Sequence, residues 1–126
     1  MGEENRIRSF KDLEAWKRGH ALVLSIYRIT KRYPRDEQFG ITNQLRRAAV
    51  SVTSNIAEGF SRQTSKEKAQ FYAIAKGSLT EIENQLLVSR DVHYVSIEDF
   101  ERVETEIEQT SRLITGLLKY VRAQNV

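Results

Sequence analysis

A single proline, Pro34, interrupts a chain of 126 residues in which apolar side chains return every three or four positions almost from end to end. Proline removes a backbone donor and disfavours helix at the residue before it, so its near-absence leaves long helices as the default. No stretch shows the period-two alternation or the β-branched clustering of a strand.

Four segments carry the helical period. The first starts near Ser9, where Ser9 and Asp12 form a capping-box pattern, and its apolar or aromatic residues are Leu13, Trp16, His20, Val23 and Tyr27; Pro34 ends it. The second spans about 37–58, with a stripe at Ile41, Leu45, Ala48, Val52 and Ile56 and with Gly59 expected in left-handed conformation just past its end. The third follows Thr64, which with Glu67 repeats the capping pattern, and presents Phe71, Ala75, Ser78, Ile82 and Leu86 before ending near Tyr94. The fourth, capped by Ser96, has the cleanest stripe: Phe100, Val103, Ile107, Thr110, Ile114, Leu117 and Val121. Short links between long helices force antiparallel neighbours. The sequence therefore predicts an all-α, up-down-up-down four-helix bundle over residues 9–126, behind a flexible tail at 1–8. A three-helix bundle with an extended tail is the alternative.

Composition removes several functions. No run approaches the roughly 18 apolar residues of a membrane span, and residues 1–11 are polar and lack the apolar core of a secretion signal. No membrane association is expected, and the cytoplasm is the expected compartment. Cysteine is absent, which excludes disulfides and thiolate metal sites. The two histidines stand alone: His20 on a helix face, one turn after Trp16, reads as structural, and His93 falls at a turn. No Glu-x-x-His pair, phosphate-binding glycine loop or nucleophile elbow occurs. Glu81 and Glu83, two apart, point to different sides of a helix. The expectation is a binding protein rather than an enzyme, with no cofactor, no metal and no catalytic residues.

Two segments carry more apolar perimeter than one bundle can cover. Residues 48–57 hold no charge on any side, and Val50, Ser54 and Ala57 lie opposite the Leu45–Val52 stripe. In the first segment Leu22, Ile26 and Ile29 fall off the Leu13–Val23 face. A surface helix should be polar on its outer side. These six residues therefore read as a subunit interface between copies of the chain.

Net charge is +3. Residues 1–35 hold nine Lys or Arg against four Asp or Glu, and residues 96–126 hold four against six. That asymmetry suits an anionic partner such as RNA or DNA. The candidate phosphate contacts are Lys17, Arg18, Arg46, Arg47, Arg62, Lys66 and Lys68. A protein-interaction scaffold is the competing reading, resting on Phe60 and Tyr72 outside clear core positions. Glu58, at the end of an uncharged run, opposes the helix dipole and needs a cation. Arg47 and Arg62 are its candidates for a structural ion pair.

Three stretches carry a resemblance: Phe10-Lys-Asp-Leu-Glu-Ala-Trp16; Gly40 to Ser51 continuing into Asn55-Ile-Ala-Glu-Gly59; and Gly77-Ser-Leu-Thr-Glu-Ile-Glu83. With them the chain resembles, over about residues 9–122, the bacterial four-helix-bundle proteins encoded within 23S rRNA intervening sequences. The accessory protein of diversity-generating retroelements is a relative. The resemblance implies a four-helix protomer, a homopentameric ring and no enzyme activity. Because the retroelement relatives are associated with RNA and a reverse transcriptase, it also makes nucleic acid a partner to test. The chain departs from the pattern at Thr53, where the family often has proline, and at His93, where it usually has glycine.

Overall fold

Side chains at three turns satisfy amides that the helical segments following them leave open: Ser9 and Asp12 before the first 3-10 turn, Thr64 before the third long helix and Ser96 before the fourth. Ser9 Oγ accepts from the amide of Lys11 at 3.2 Å, and Asp12 Oδ2 accepts from the amides of Arg8 and Ser9 at 2.8 and 3.1 Å. Those two amides hold the Asp12 carboxyl below the usual carboxylate pKa. Thr64 Oγ1 accepts from the amide of Glu67 at 3.1 Å, and Ser96 Oγ from that of Asp99 at 3.1 Å.

The computed structural model describes residues 6–124. Of the tail expected at 1–8, residues 1–5 lie outside the described residues, as do 125 and 126. A short 3-10 turn at Phe10–Asp12 leads into α1 (Glu14–Thr30), and another at Arg35–Glu37 precedes α2 (Ile41–Ser61). Then come α3 (Ser65–Asp91) and α4 (Ile97–Gln124). No strand occurs among the described residues.

The helices meet in chain order, and α1 closes on α4; the diagonal pairs make no close approach. The paired positions run in opposite senses. On α1, Gly19 lies against Thr53 of α2, while Arg46 Nε donates to Thr30 Oγ1 at 2.9 Å. Between α2 and α3, Gly59 lies against Tyr72, and the Ser51 and Ser78 hydroxyls bond at 2.9 Å. Between α1 and α4, Ser25 Oγ donates to Glu106 Oε2 at 3.0 Å, and Arg32 lies 3.8 Å from Asp99.

One core fills the middle. Leu22, Ile26, Leu45, Val52, Ile56, Ile82, Leu86, Val103 and Ile114 are all inaccessible to water. Each contributes about 1.5–3 kcal/mol by leaving water. The expected stripes of the second, third and fourth segments are largely those observed, with Leu118 rather than Leu117 buried near the end of α4.

The first stripe is corrected. The buried residues of α1 are Ala15, Gly19, Leu22, Val23, Ser25, Ile26, Ile29 and Thr30, whereas His20 and Tyr27 are exposed. Leu22, Ile26 and Ile29, assigned above to a subunit interface, are spent on the chain's own core. Gly59 is corrected too. It sits inside α2, which runs on to Ser61, and its backbone is not left-handed. A Cβ there would come within 2.7 Å of Tyr72 Cε1, so close packing on a buried ring is what requires glycine. The left-handed residue is His93, with φ 67°. Thr53 Oγ1 donates back to Val50 O at 3.1 Å, the local bond its side chain offers in place of a proline bend.

Candidate functional site

Three surfaces take shape from this packing. The first is the outer side of α1 and α2. Along α1, Trp16 and His20 stack with ring centroids 4.7 Å apart, and Leu24 is 52% exposed. One turn on, Tyr27 carries the Arg46 guanidinium 4.6 Å over its ring. On α2, Arg47, Val50 and Ser54 are exposed and Ala57 is half-buried. Tyr27, Arg46, Arg47, Val50 and Ser54 share an open groove of about 490 Å³ with Asn43 and Ser51. Two of the candidate phosphate contacts and two of the candidate interface residues therefore occupy one groove. A surface covered by a second copy cannot also grip a phosphate chain, so these assignments compete.

The second surface is the groove between α3 and α4, about 500 Å³. Its walls are charged: Glu83, Glu104 and Glu108 toward one end, Lys76, Arg112 and Lys119 toward the other. Leu79 and Ile107 form its floor.

The third surface is one end of the molecule, where the start of α1, the α2–α3 turn and the last turns of α4 meet. Arg8, Lys11, Lys17, Arg18, Lys66, Lys119 and Arg122 are exposed there, against the carboxylates Asp12, Glu14, Glu58 and Glu67. The opposite end holds Asp36, Glu37, Asp91, Glu98, Asp99, Glu101 and Glu104 against Lys31, Arg32, Arg35, Arg90 and Arg102. The two ends of the bundle therefore differ in charge.

The candidate cations divide between these surfaces. Arg46 and Arg47 lie about 24 Å along α2 from Arg62, at 1.5 Å per residue. Three of the seven have work inside the chain. Arg46 is held by Thr30 and Tyr27. Arg62 pairs with Glu58 at 2.8 Å and lies over the Phe71 ring. Lys68 Nζ donates to Phe60 O at 2.7 Å, at the end of α2. Lys17 pairs with Glu14 at 3.5 Å across an exposed turn, and Arg18 reaches Gln109 at 3.5 Å. Arg47 and Lys66 make no ion pair among the described residues.

The Glu58 partner is Arg62 and not Arg47, because one helical turn separates the first pair while Arg47 lies three turns away. Tyr72 is 2% exposed, and burial raises its hydroxyl pKa; Phe60 is half-buried against Lys68. Neither ring offers a docking surface. Sequence reasoning missed the exposed Leu24, Tyr27 and Phe39, the last 88% exposed. The only signal for Phe39 was its place between a proline and a glycine in a polar link.

No group of three His, Cys, Asp or Glu that could hold a metal ion occurs among the described residues. No helix in them is long and apolar enough to cross a membrane.

Comparison with known proteins places the chain. None of the curated proteins matches. Among solved structures, one described as a protein of unknown function from the S23 ribosomal protein family of Bacteroides thetaiotaomicron is similar. The TM-score is 0.75 at 18% identity, over 83% of this chain and 98% of that one; at that identity the likeness is one of fold. The family model described as 23S rRNA-intervening sequence protein matches residues 11–116. With that match running from the first helical turn into α4, the chain belongs to the 23S rRNA-intervening sequence protein family.

Proposed function

We propose that the chain is a non-enzymatic, cytoplasmic nucleic-acid-binding protein that acts as a homo-oligomer of up-down-up-down antiparallel bundles, pentameric as its family implies. The observation that carries the nucleic-acid reading is the basic end. Cations scattered through the sequence gather there from three separate elements, and Lys66, Lys119 and Arg122 point outward with no ion pair among the described residues. Repeated around an oligomer with all copies pointing the same way, that end becomes a basic rim suited to a phosphate backbone. The uncharged outer side of α2 supports self-association.

Binding of this kind releases counterions, so affinity falls with salt, by a log–log slope of about 0.7–0.9 per phosphate contacted. The expected result is RNA binding at about 50 mM salt, with a slope that drops by about two in the double variant Lys66→Glu, Arg122→Glu. Arg35→Glu, at the opposite end, should leave it unchanged. A flat slope, or no binding at about 50 mM salt, overturns the proposal.

A second reading, an adaptor that recruits a protein, is favoured by the far end, where Phe39, Val92 and Ile97 are 88, 48 and 61% exposed. A stoichiometric protein partner retained after nuclease treatment, and lost on Phe39→Ser, would favour it.

A further inference from the structure

The outer side of α2 and the α3–α4 groove match each other in the order of their charges. Arg47 stands on the outer side of α2 with no ion pair among the described residues. Seven residues on is Ser54, and four further is Glu58. Along the groove, α4 presents Glu108, then Thr115 seven residues on, then Lys119 four further. Each α2 position thus has an α4 counterpart 61 residues later in the sequence: 47 with 108, 54 with 115, 58 with 119. The spacings are about 10 Å and 6 Å along either helix. The first counterparts are cation and anion; the last are anion and cation.

We infer that the outer ridge of α2 seats in the α3–α4 groove of a second copy lying parallel to it, with Arg47 facing Glu108 and Glu58 facing Lys119. This rests on the self-association proposed above and names the surface that receives it. The small side chains Val50, Ser54 and Ala57 let the ridge enter the open groove. Charge fixes direction: turned end for end about Ser54, the ridge would bring Arg47 opposite Arg122 and Glu58 opposite Ser111, so both opposite-charge pairs are lost and one like-charge pair takes their place. The present partners of Glu58 and Glu108 are exposed pairs one turn away, Arg62 and Arg112. Such pairs contribute little and exchange readily. Ridge and groove are different surfaces, so the contact is heterologous, and each copy can receive one neighbour and dock on another. The contact also assigns Arg47 and Lys119 to carboxylates of neighbouring copies instead of to phosphate, and leaves Lys66 and Arg122 at the basic end uncovered.

Cysteine cross-linking tests this cleanly, because the chain has no cysteine of its own. Ser54→Cys and Thr115→Cys are made separately and checked for native helicity. Their mass is measured by light scattering, and they are oxidised alone and mixed. The expected result is no cross-link from either variant alone, a dimer from the mixture, and a ladder from the double variant. Ser54→Cys cross-linking to itself, or no 54–115 cross-link in a sample heavier than one protomer, overturns this docking while self-association stands. A mass of 14.6 kDa throughout overturns both.

Discussion

At Gly59 a missing side chain decides how two helices meet. A Cβ at that position would lie 2.7 and 2.9 Å from two carbons of the buried Tyr72 ring and 3.1 Å from Phe71 Cβ. A packed aromatic ring cannot give way as a flexible chain end could. Gly59→Ala should therefore cost about 1–3 kcal/mol, as overpacking does, read as a lower urea midpoint at unchanged m-value. An unchanged midpoint would mean that α3 shifts freely. The sequence marked this residue but for the wrong reason. A glycine near a helix end reads as a left-handed cap, and only the position of Tyr72, packed against it from the next helix, shows the real constraint. His93 shows the converse: the left-handed residue is the histidine that stands where the resembling family usually has glycine.

At the scale of the helix, legibility depended on how much of the circumference is apolar. In α4 one narrow stripe is apolar, so period alone located its core. In α1, Leu22–Ile26–Ile29 and Trp16–His20–Val23–Tyr27 both recur at three and four residues, and period cannot choose between them. What chooses is the other helices. Aliphatic chains fill the interior, while Trp16, His20 and Tyr27 keep polar atoms near water at its margin, as amphipathic rings do. The interface assignment failed for α1 through this ambiguity, whereas on α2 Val50 and Ser54 are left uncovered by the chain itself. The seven candidate cations were legible as charges, but which were free was not, because the partners of Arg46 and Lys68 come from other segments. Lys68 closes α2 by donating to Phe60 O at 2.7 Å, where the helix dipole is negative. Lys68→Ala should lower stability by about 1 kcal/mol, with helix loss at the α2–α3 turn visible by hydrogen exchange. Unchanged protection at residues 58–61 would refute that role.

Across the whole molecule, two kinds of surface are kept apart. Cations gather at one end, and along one side the outer face of α2 is uncharged between Arg47 and Glu58. Salt should separate their work. At about 1 M salt the screening length is about 3 Å, so RNA should be released while copies held by the apolar ridge stay together. Light scattering showing both lost in parallel would mean that charge alone joins the copies. The end-to-end sorting of charge was invisible in windows along the sequence, because it needs Lys17, Lys66 and Lys119, from three helices, at one level.

The chain has one tryptophan, Trp16, and it lies flat against His20 beside the ridge of α2. The emission of a half-buried indole changes when a neighbouring surface excludes solvent from it. The protein therefore carries its own optical gauge, unlabelled, of whether that flank is wet or occupied.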